Sequence, residues 1–243
     1  MLLALSILAL LTLAAPAAEA KSIRGIDVSR FQEVIGWKQV GATKLRFAYV
    51  AASRGSGDDC LVVPDRCGAD EFFPRNYRGA KDAGLRVGAY HRGFASGSTP
   101  EAAKEDARAE ANLFIRQVGK VRSRDLRPAL DVETPFVDMT EDSLRAWIGA
   151  WLARVEKKLG VEPIIYTNFS SWQATGDTLS FALEGHPLWV ANFDVPEPLV
   201  PADDWAGQGW AIWQYTSSGK VRGIEGAVDK NRLDDGFGEI KAG

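Results

Sequence analysis

The sequence predicts an α/β fold, an irregular TIM-like (β/α) barrel in which helices are missing from the C-terminal third. Two observations indicate the barrel. Short apolar runs alternate with amphipathic helical runs along the chain, and the apolar runs are typical of parallel strands covered on both faces. A third observation indicates the missing helices. The helical periodicity fades after residue 175, where Trp, Pro and Gly are frequent and short strands joined by loops are expected.

Seven apolar runs are predicted as the buried strands of this barrel. Each is short and continuous, as expected of a strand that has no solvent-exposed face. In chain order they are Ile23–Val28, Arg46–Ala51, Arg86–His91, Arg127–Val132, Pro163–Thr167, Pro187–Ala191 and Trp210–Tyr215.

Three helices are predicted between the strands. The first begins after Thr99, a capping residue followed by Pro100, and ends at Gly119. A second begins at Thr140 and stops at Gly160, and a shorter one covers residues 74–83. The apolar residues of the two long helices recur at helical spacing and should face the barrel. They are Ala103, Ala107, Ala111, Phe114, Val118, Leu144, Trp147, Ile148, Trp151, Leu152, Val155 and Leu159.

The N-terminus predicts a signal peptide over residues 1–20, followed by a single catalytic domain over residues 21–243. Residues 2–15 are almost entirely apolar, and Ala18-Glu19-Ala20 is the small-x-small pattern that signal peptidase cleaves. No Lys or Arg precedes the apolar run, and a retained membrane anchor is the alternative, although the run is short for a bilayer span. We expect a secreted or periplasmic protein that has no membrane attachment after cleavage.

The charge of the chain argues against nucleic acid as a partner. The net charge is −3 and no basic run occurs, whereas nucleic acid requires a basic face. The same near-neutral balance gives little non-specific attraction to anionic polymers, so a polymeric substrate must be recognised by a shaped cleft. We expect a monomer that uses no cofactor and no metal ion.

Cys60 and Cys67 are the only two cysteines in the sequence and lie in a stretch rich in Gly and Asp. In an exported protein, such a pair predicts a disulfide that closes a loop. Two free thiols are the alternative. A metal site is less consistent with the sequence, because neither a His nor a second Cys pair accompanies these cysteines.

The strongest catalytic signal is the pair Asp131 and Glu133, which follows the apolar run that begins at Pro128. Residues two apart on a strand project from the same face, and residues at the C-terminal end of a barrel strand point into the catalytic mouth. Two adjacent carboxyl groups raise the pKa of at least one member, which suits a glycosidase acid. A solvated pair at a strand end is the alternative.

Further polar and aromatic residues lie at comparable strand ends. Asp27, Asp194 and Asp229 each follow an apolar run, with turn or cap residues as the alternative reading. His91 ends the third predicted strand. A buried structural histidine and a catalytic histidine both fit this position. Aromatic rings can stack on the apolar faces of sugars, or else belong to the core. These aromatic residues are Tyr90, Tyr166, Trp189, Phe193, Trp213 and Tyr215.

Taken together, an ordered set of motifs resembles glycoside hydrolase family 25, the Chalaropsis-type lysozymes or N-acetylmuramidases. The resemblance runs from about residue 23 to residue 233, and its specificity lies in the order of the whole set. The motifs are Gly25-Ile26-Asp27-Val28-Ser29, Gly88-Ala89-Tyr90-His91, Asp131-Val132-Glu133, Ile165-Tyr166-Thr167, Leu188-Trp189-Val190-Ala191-Asn192, Ile212-Trp213-Gln214-Tyr215 and Val228-Asp229-Lys230-Asn231.

The resemblance implies hydrolysis of the β-1,4 bond between N-acetylmuramic acid and N-acetylglucosamine in the peptidoglycan glycan strand. By motif, Glu133 falls on the general acid and Asp131 on the neighbour that orients the N-acetyl group of the substrate. The residues expected to bind substrate in the groove are Asp27, Tyr90, His91, Tyr166, Asp194, Trp213, Gln214 and Asp229.

One stretch departs from the family pattern. After the second strand the family often has Lys-Ala-Ser/Thr-Glu-Gly, whereas this chain has Ala51-Ala52-Ser53-Arg54-Gly55 followed by a longer loop. These changes border the expected groove and bear on fine specificity. Two other functions stay open: a sugar-binding protein that has lost turnover, and a hydrolase of another N-acetylated glycan such as chitin.

The position of the acid pair also predicts the stereochemistry. Because Asp131 and Glu133 leave one strand on one face, they fit poorly with flanking a sugar from opposite sides. We therefore expect the 2-acetamido oxygen of the substrate to attack the anomeric carbon, with net retention of configuration.

Overall fold

A computed structural model describes residues 22–55 and 67–243. In these residues the strands, in chain order, are β1 Arg24–Val28, β2 Phe47–Arg54, β3 Gly68–Ala69, β4 Arg86–Arg92, β5 Ala129–Asp131, β6 Ile164–Asn168, β7 Leu188–Ala191, β8 Ile212–Gly219 and β9 Val228–Leu233. The helices are α1 Trp37–Gly41, α2 Phe73–Asp82, α3 Pro100–Val118, α4 Glu141–Leu159, α5 Phe169–Trp172, α6 Ser180–Leu183 and α7 Pro201–Gly207.

The strands form a closed barrel. Strands β1, β2, β4, β5, β6, β7 and β8 pair in parallel in that order, and β9 closes the barrel antiparallel to both β8 and β1. The two-residue β3 pairs with the end of β2 outside this closed ring. The parallel arrangement brings the C-terminal ends of seven strands to one mouth, where barrel enzymes place their active sites.

All seven predicted strands are present, and the prediction of an irregular (β/α) barrel is confirmed. Two strands were not predicted: the two-residue β3, Gly68–Ala69, and β9, Val228–Leu233, which closes the barrel. The four central residues of β9, Asp229–Arg232, are all polar or charged, and this strand is less completely buried than most of the parallel strands. A search for continuous apolar runs therefore passes over it.

The two long helices begin and end as predicted. The side chain of Thr99 caps α3 by accepting a hydrogen bond from the backbone N–H of Ala102, and Thr140 caps α4. Gly119 and Gly160 follow their last residues. The predicted apolar residues up to Phe114 in α3 and up to Val155 in α4 are buried against the barrel, while Val118 and Leu159 are partly buried.

The helical layer thins in the C-terminal third, as predicted. Helices α5 and α6 each have four residues, and β8 runs to β9 through 220–227 without a helix. Segment α7 is unusual because residues 202–206 have φ between 50° and 58°, which makes this turn left-handed. Because no helix connects β8 to β9, the outer faces of these two strands lack the helical cover that α3 and α4 give to β4 and β5.

The interior of the barrel is apolar at its base and polar at its mouth. Side chains two residues apart on each strand point inward together. A buried apolar cluster that includes Phe47, Tyr49, Ile164, Ile212 and Leu233 fills the base. Toward the C-terminal ends of the parallel strands, carboxyl, amide and guanidinium groups replace these apolar residues, and they line the groove described next.

Candidate active site

A groove of about 200 Å³ opens at the C-terminal mouth of the barrel. Its walls come from all seven parallel strands of the barrel, from β9, and from the segments after β1 and β5. The residues that line it are Asp27, Ser29, Phe31, Arg54, Tyr90, Arg92, Asp131, Glu133, Tyr166, Trp189, Gln214 and Asp229. The groove thus brings together the predicted acid pair and five of the eight predicted substrate-binding residues, Asp27, Tyr90, Tyr166, Gln214 and Asp229.

The acid pair lies on one wall of this groove. Asp131 is the last residue of β5, and Glu133 lies two residues further on the same inward face. The Asp131 side chain is 11% exposed and the Glu133 side chain 27% exposed. Glu133 is therefore the member of the pair that a substrate in the groove can reach more easily.

Arg92, at the end of β4, holds the acid pair in place. Its guanidinium donates hydrogen bonds to Asp131 Oδ1 at 3.1 Å, to the carbonyl oxygen of Glu133 at 3.0 Å and to that of Thr134 at 2.9 Å. The Glu133 carboxylate itself lies 4.0 Å from the same guanidinium. Because the planar guanidinium spans side chain and backbone together, it fixes the direction in which the end of β5 leaves the barrel.

Asn168 fixes the carboxyl group of Glu133. Its Nδ2 donates to Glu133 Oε1 at 2.9 Å, while its Oδ1 accepts from the N–H of Ser171 and the hydroxyl of Ser170. Asn168 is the residue that caps α5, so this capping bond determines which end of its amide faces Glu133. Oε1 of Glu133 is thereby engaged, while Oε2 is the oxygen that lies 4.0 Å from the Arg92 guanidinium.

The opposite wall carries a second pair of acids. Asp27 and Asp229 face each other across the antiparallel β1–β9 pair and are hydrogen-bonded through their carboxyl groups. Asp27 Oδ2 also accepts from Asn231 Nδ2 at 2.7 Å and from Gln214 Nε2 at 2.9 Å. Burial raises the pKa of Asp27 to about 6, and burial together with the charge of Asp27 raises that of Asp229 to about 8. Asp229 therefore donates the shared proton near neutral pH.

Tyr166 connects the two walls. Its hydroxyl donates to Gln214 Oε1 at 2.9 Å and lies 3.5 Å from Glu133 Oε1. Below it, the rings of Tyr90 and Tyr166 pack edge to face against Trp189. Trp189 Nε1 in turn donates to Asn231 at 2.8 Å. The floor of the groove is thus a packed aromatic surface in which the Tyr166 hydroxyl and the Trp189 indole N–H are hydrogen-bonded, as suits the binding of a sugar ring.

Burial raises the pKa of Asp131 well above its usual range, and the charges of Glu133 and Asp27 act in the same direction. The Arg92 guanidinium opposes this rise because it stabilises the ionised carboxylate. This agrees with the expectation that one member of the acid pair would be perturbed. Arg92 is therefore the contact that favours the carboxylate form of Asp131.

The shared proton of Asp27 and Asp229 should make the stability of the protein depend on pH. Both folded-state pKa values lie above the unfolded value of about 3.9, so this contribution to stability is complete below that pH and is lost as the pH rises through about 6 and about 8. Asp229→Asn keeps the hydrogen bond and removes the titration. We expect the Tm of this variant, relative to wild type, to rise steadily between pH 5 and pH 8.

Thermal unfolding followed by circular dichroism measures this difference, with Asp235→Asn as the control because Asp235 is an exposed acid just beyond β9. A Tm difference between Asp229→Asn and wild type that stays constant over this pH range would show that the two carboxyl groups do not share a proton.

His91 does not line the groove, so the structure does not place it where it was expected to bind substrate. Its side chain is fully buried on the outer face of β4. Nε2 lies 2.6 Å from Glu110 of α3, Nδ1 lies 2.8 Å from the Ser53 hydroxyl, and the ring stacks on Trp151. Burial lowers the pKa of His91 to about 3. Because Tyr90 faces inward, its neighbour His91 must face outward.

Trp213 and Asp194 are also outside the groove. Trp213 is buried on the outer face of β8 and donates from Nε1 to the carbonyl oxygen of Asn192 at 2.7 Å. Together with Asp194 it borders a separate cavity of about 470 Å³ on the side of the barrel that has no helix. Gln214 points into the groove, so its neighbour on β8, Trp213, must point outward, as His91 does beside Tyr90.

Besides Ser29 and Phe31, four residues of the site were not predicted as site residues: Arg92, Arg54 and Trp189, which line the groove, and Asn168, which holds Glu133. Three of them lie just past the end of a predicted strand, and Trp189 was noted only as one of several aromatic residues. A spacing of two residues would have found two of them, because Arg92 follows Tyr90 and Asn168 follows Tyr166 at that interval. Ser29 and Phe31, which also line the groove, carry no comparable signal.

Some predictions fall outside the described residues. The predicted signal peptide, residues 1–20, lies there, as does Cys60, so the Cys60–Cys67 disulfide stays a prediction. Within residues 22–55 and 67–243, no group of three or more His, Cys, Asp or Glu residues is arranged to hold a metal ion. In the same part of the chain, no helix is long and apolar enough to cross a membrane.

Comparison with known proteins gives a consistent result. The family model described as glycosyl hydrolases family 25 matches residues 26–224. Lysozyme M1 of Streptomyces globisporus is 30% identical over 93% of this chain and 72% of its own length, and the N,O-diacetylmuramidase of Chalaropsis sp. is 27% identical over 86% and 96%. The crystal structure of a bacterial lysozyme from Streptomyces coelicolor is 31% identical, with a TM-score of 0.74 over 89% of this chain and 94% of that one.

Proposed function

The chain belongs to glycosyl hydrolase family 25 and is a glycosidase, and from this premise we propose that it acts as a lysozyme on bacterial peptidoglycan. The bond it hydrolyses is the β-1,4 linkage between N-acetylmuramic acid and N-acetylglucosamine. The observation that carries this proposal is the acid pair at the end of β5, fixed in an open groove by Arg92 and Asn168.

Glu133 is the general acid in this proposal. In this role Oε2, the oxygen that does not accept from Asn168, delivers the proton, and the Glu133 side chain is the more exposed of the pair. As the bond between the anomeric carbon and the glycosidic oxygen breaks, the proton moves from Glu133 to that oxygen. The aromatic floor under Tyr166 positions the sugar for this transfer.

Asp131 assists from the same wall. The acetamido oxygen of the muramic acid forms a bond to the anomeric carbon, which places positive charge on the acetamido group, and the Asp131 carboxylate accepts its N–H. Arg92 keeps Asp131 in the required orientation. A water molecule then gives a proton to Glu133, attacks the anomeric carbon and opens the cyclic intermediate, which restores both groups.

Hydrolysis of purified peptidoglycan tests this proposal. The wild-type protein should clear a turbid peptidoglycan suspension, and mass spectrometry of the products should show muramic acid at the new reducing ends. Binding without clearance would favour the sugar-binding alternative. Cleavage of chitin oligosaccharides in place of peptidoglycan would favour the hydrolase of another N-acetylated glycan.

We also propose that the protein works outside the cytoplasm, either secreted or in a periplasm, and as a monomer. The apolar N-terminal run with its Ala18-Glu19-Ala20 site and the pair Cys60 and Cys67 support export. A peptidoglycan substrate is consistent with the same location.

A further inference from the structure

Arg54 points into the groove because β2 contains a β-bulge. In the register of β2 against β4, Ala51 pairs with Tyr90 and Ser53 pairs with His91, so Ala52 is an extra residue. The bulge reverses the alternation of side chains beyond it. Ser53 consequently faces outward to His91, and Arg54, paired with Arg92, lines the groove.

Two aromatic rings hold the Arg54 guanidinium. Its Cζ lies 5.3 Å from the ring centre of Phe31 and 5.9 Å from that of Phe94. The Phe94 ring also lies 5.6 Å from the guanidinium carbon of Arg92. Phe31 is 61% exposed and forms part of the rim, so the cation is held at the groove surface in a fixed position.

The hydrogen-bond donors of this guanidinium are not used by the described part of the chain. Its neighbours differ in this respect: Arg92 bonds Asp131 and two carbonyl groups, and Arg30 bonds the carbonyl of Ala69 and lies near Asp70. Among residues 22–55 and 67–243, Arg54 has ring contacts alone. Burial lowers the pKa of Arg54, yet the group stays charged, and an anion in the groove would relieve this cost.

We propose that Arg54 binds a carboxylate carried by the glycan substrate and so determines specificity for acidic muramyl chains. The proposal rests on the lysozyme function proposed above. Arg54 lies two strands from Asp131, about 10 Å at the usual strand spacing, which is within reach of a substituent on a sugar held against the acid pair. Such a carboxylate belongs either to the lactyl group of muramic acid or to a peptide attached to it.

The test measures kcat/KM on three soluble glycan chains of equal length. One carries free lactyl carboxylates, one has these carboxylates converted to methyl esters, and one carries its stem peptides. Wild type should prefer an acidic chain over the ester by about tenfold, as expected for a charge-assisted bidentate hydrogen bond. Raising the salt concentration should reduce this preference.

The variants are Arg54→Gln, Arg54→Lys and, as a control with the same loss of charge, Arg108→Gln on the exposed face of α3. Arg54→Gln should lose the preference, Arg54→Lys should keep part of it, and Arg108→Gln should match wild type. Preference for the free lactyl chain identifies the lactyl group, and preference for the peptide-bearing chain alone identifies the peptide.

An equal loss on all three chains in Arg54→Gln, or a wild type that cleaves acid and ester alike, would overturn the role of Arg54 while leaving the lysozyme function standing. If Arg54→Gln does not fold, the preference for the acidic chain over the ester can still be compared between wild type and Arg54→Lys, and a preference that Arg54→Lys does not reduce would overturn the role of Arg54. Failure of wild type to cleave any of the three chains would instead reject the proposed function itself.

Discussion

Replacing Glu133 by Gln should abolish measurable peptidoglycan hydrolysis and leave the protein folded. Gln has the shape of Glu and can still accept the hydrogen bond from Asn168, but it cannot donate a carboxyl proton to the leaving oxygen. General acid catalysis contributes roughly 10²–10⁴-fold to rate, so kcat should fall by at least about 10²-fold. The rate of clearance of a peptidoglycan suspension measures this change.

The matched control for this variant is Glu105→Gln, an exposed glutamate on α3 that does not line the groove. It should keep the wild-type rate. Circular dichroism and the Tm establish that both proteins are folded. A Glu133→Gln enzyme that keeps more than about a tenth of wild-type activity would show that another group donates the proton.

Replacing Asp131 by Asn should be nearly as damaging, for a different reason. The amide oxygen can still accept from Arg92, so the end of β5 keeps its position. The amide lacks the negative charge that stabilises the positive acetamido group in the transition state. Loss of one such electrostatic contact costs about 10²–10³-fold in kcat. KM should change much less than kcat, because the missing interaction develops after the substrate has bound.

Steady-state kinetics on a soluble peptidoglycan fragment separate kcat from KM for this variant. Asp27→Asn is the comparison within the groove, since Asp27 lies on the opposite wall and is expected to matter less. A rise in KM with unchanged kcat in Asp131→Asn would mean that Asp131 binds the substrate without assisting the reaction.

The fold could be predicted well from the sequence because the strands of this barrel are covered. Continuous apolar runs mark the seven parallel strands, and caps at Thr99 and Thr140 mark the long helices. The exception, β9, is antiparallel, and its four central residues are polar or charged. Its polar inward residues, Asp229 and Asn231, contribute to the wall of the groove that holds the second acid pair.

The site was predicted less completely, for two physical reasons. The first is that strands continue past the apolar runs that reveal them. The predicted strands end at Ala51, His91 and Thr167, whereas the actual strands end at Arg54, Arg92 and Asn168. Polar groups at the mouth of the barrel are the same residues that end an apolar run, so a search for such runs stops just short of them.

The second reason is the direction of side chains. Alternation along a strand allows either Tyr90 or His91, and either Gln214 or Trp213, to face the groove. All four residues were predicted to bind substrate, and in the structure only Tyr90 and Gln214 line the groove. Arg54 could not have been assigned even by this rule, since the bulge at Ala52 depends on how β2 pairs with β4.

In the proposed mechanism, the acid pair acts from one side of the sugar while the acetamido group of the substrate attacks from the other. Proton NMR of a soluble peptidoglycan fragment during its hydrolysis reports which anomer of muramic acid forms first. The β anomer is expected, because attack by the acetamido oxygen followed by water retains the configuration. An initial α anomer would contradict this mechanism, and would place the attacking water on the opposite wall, beside Asp27 and Asp229.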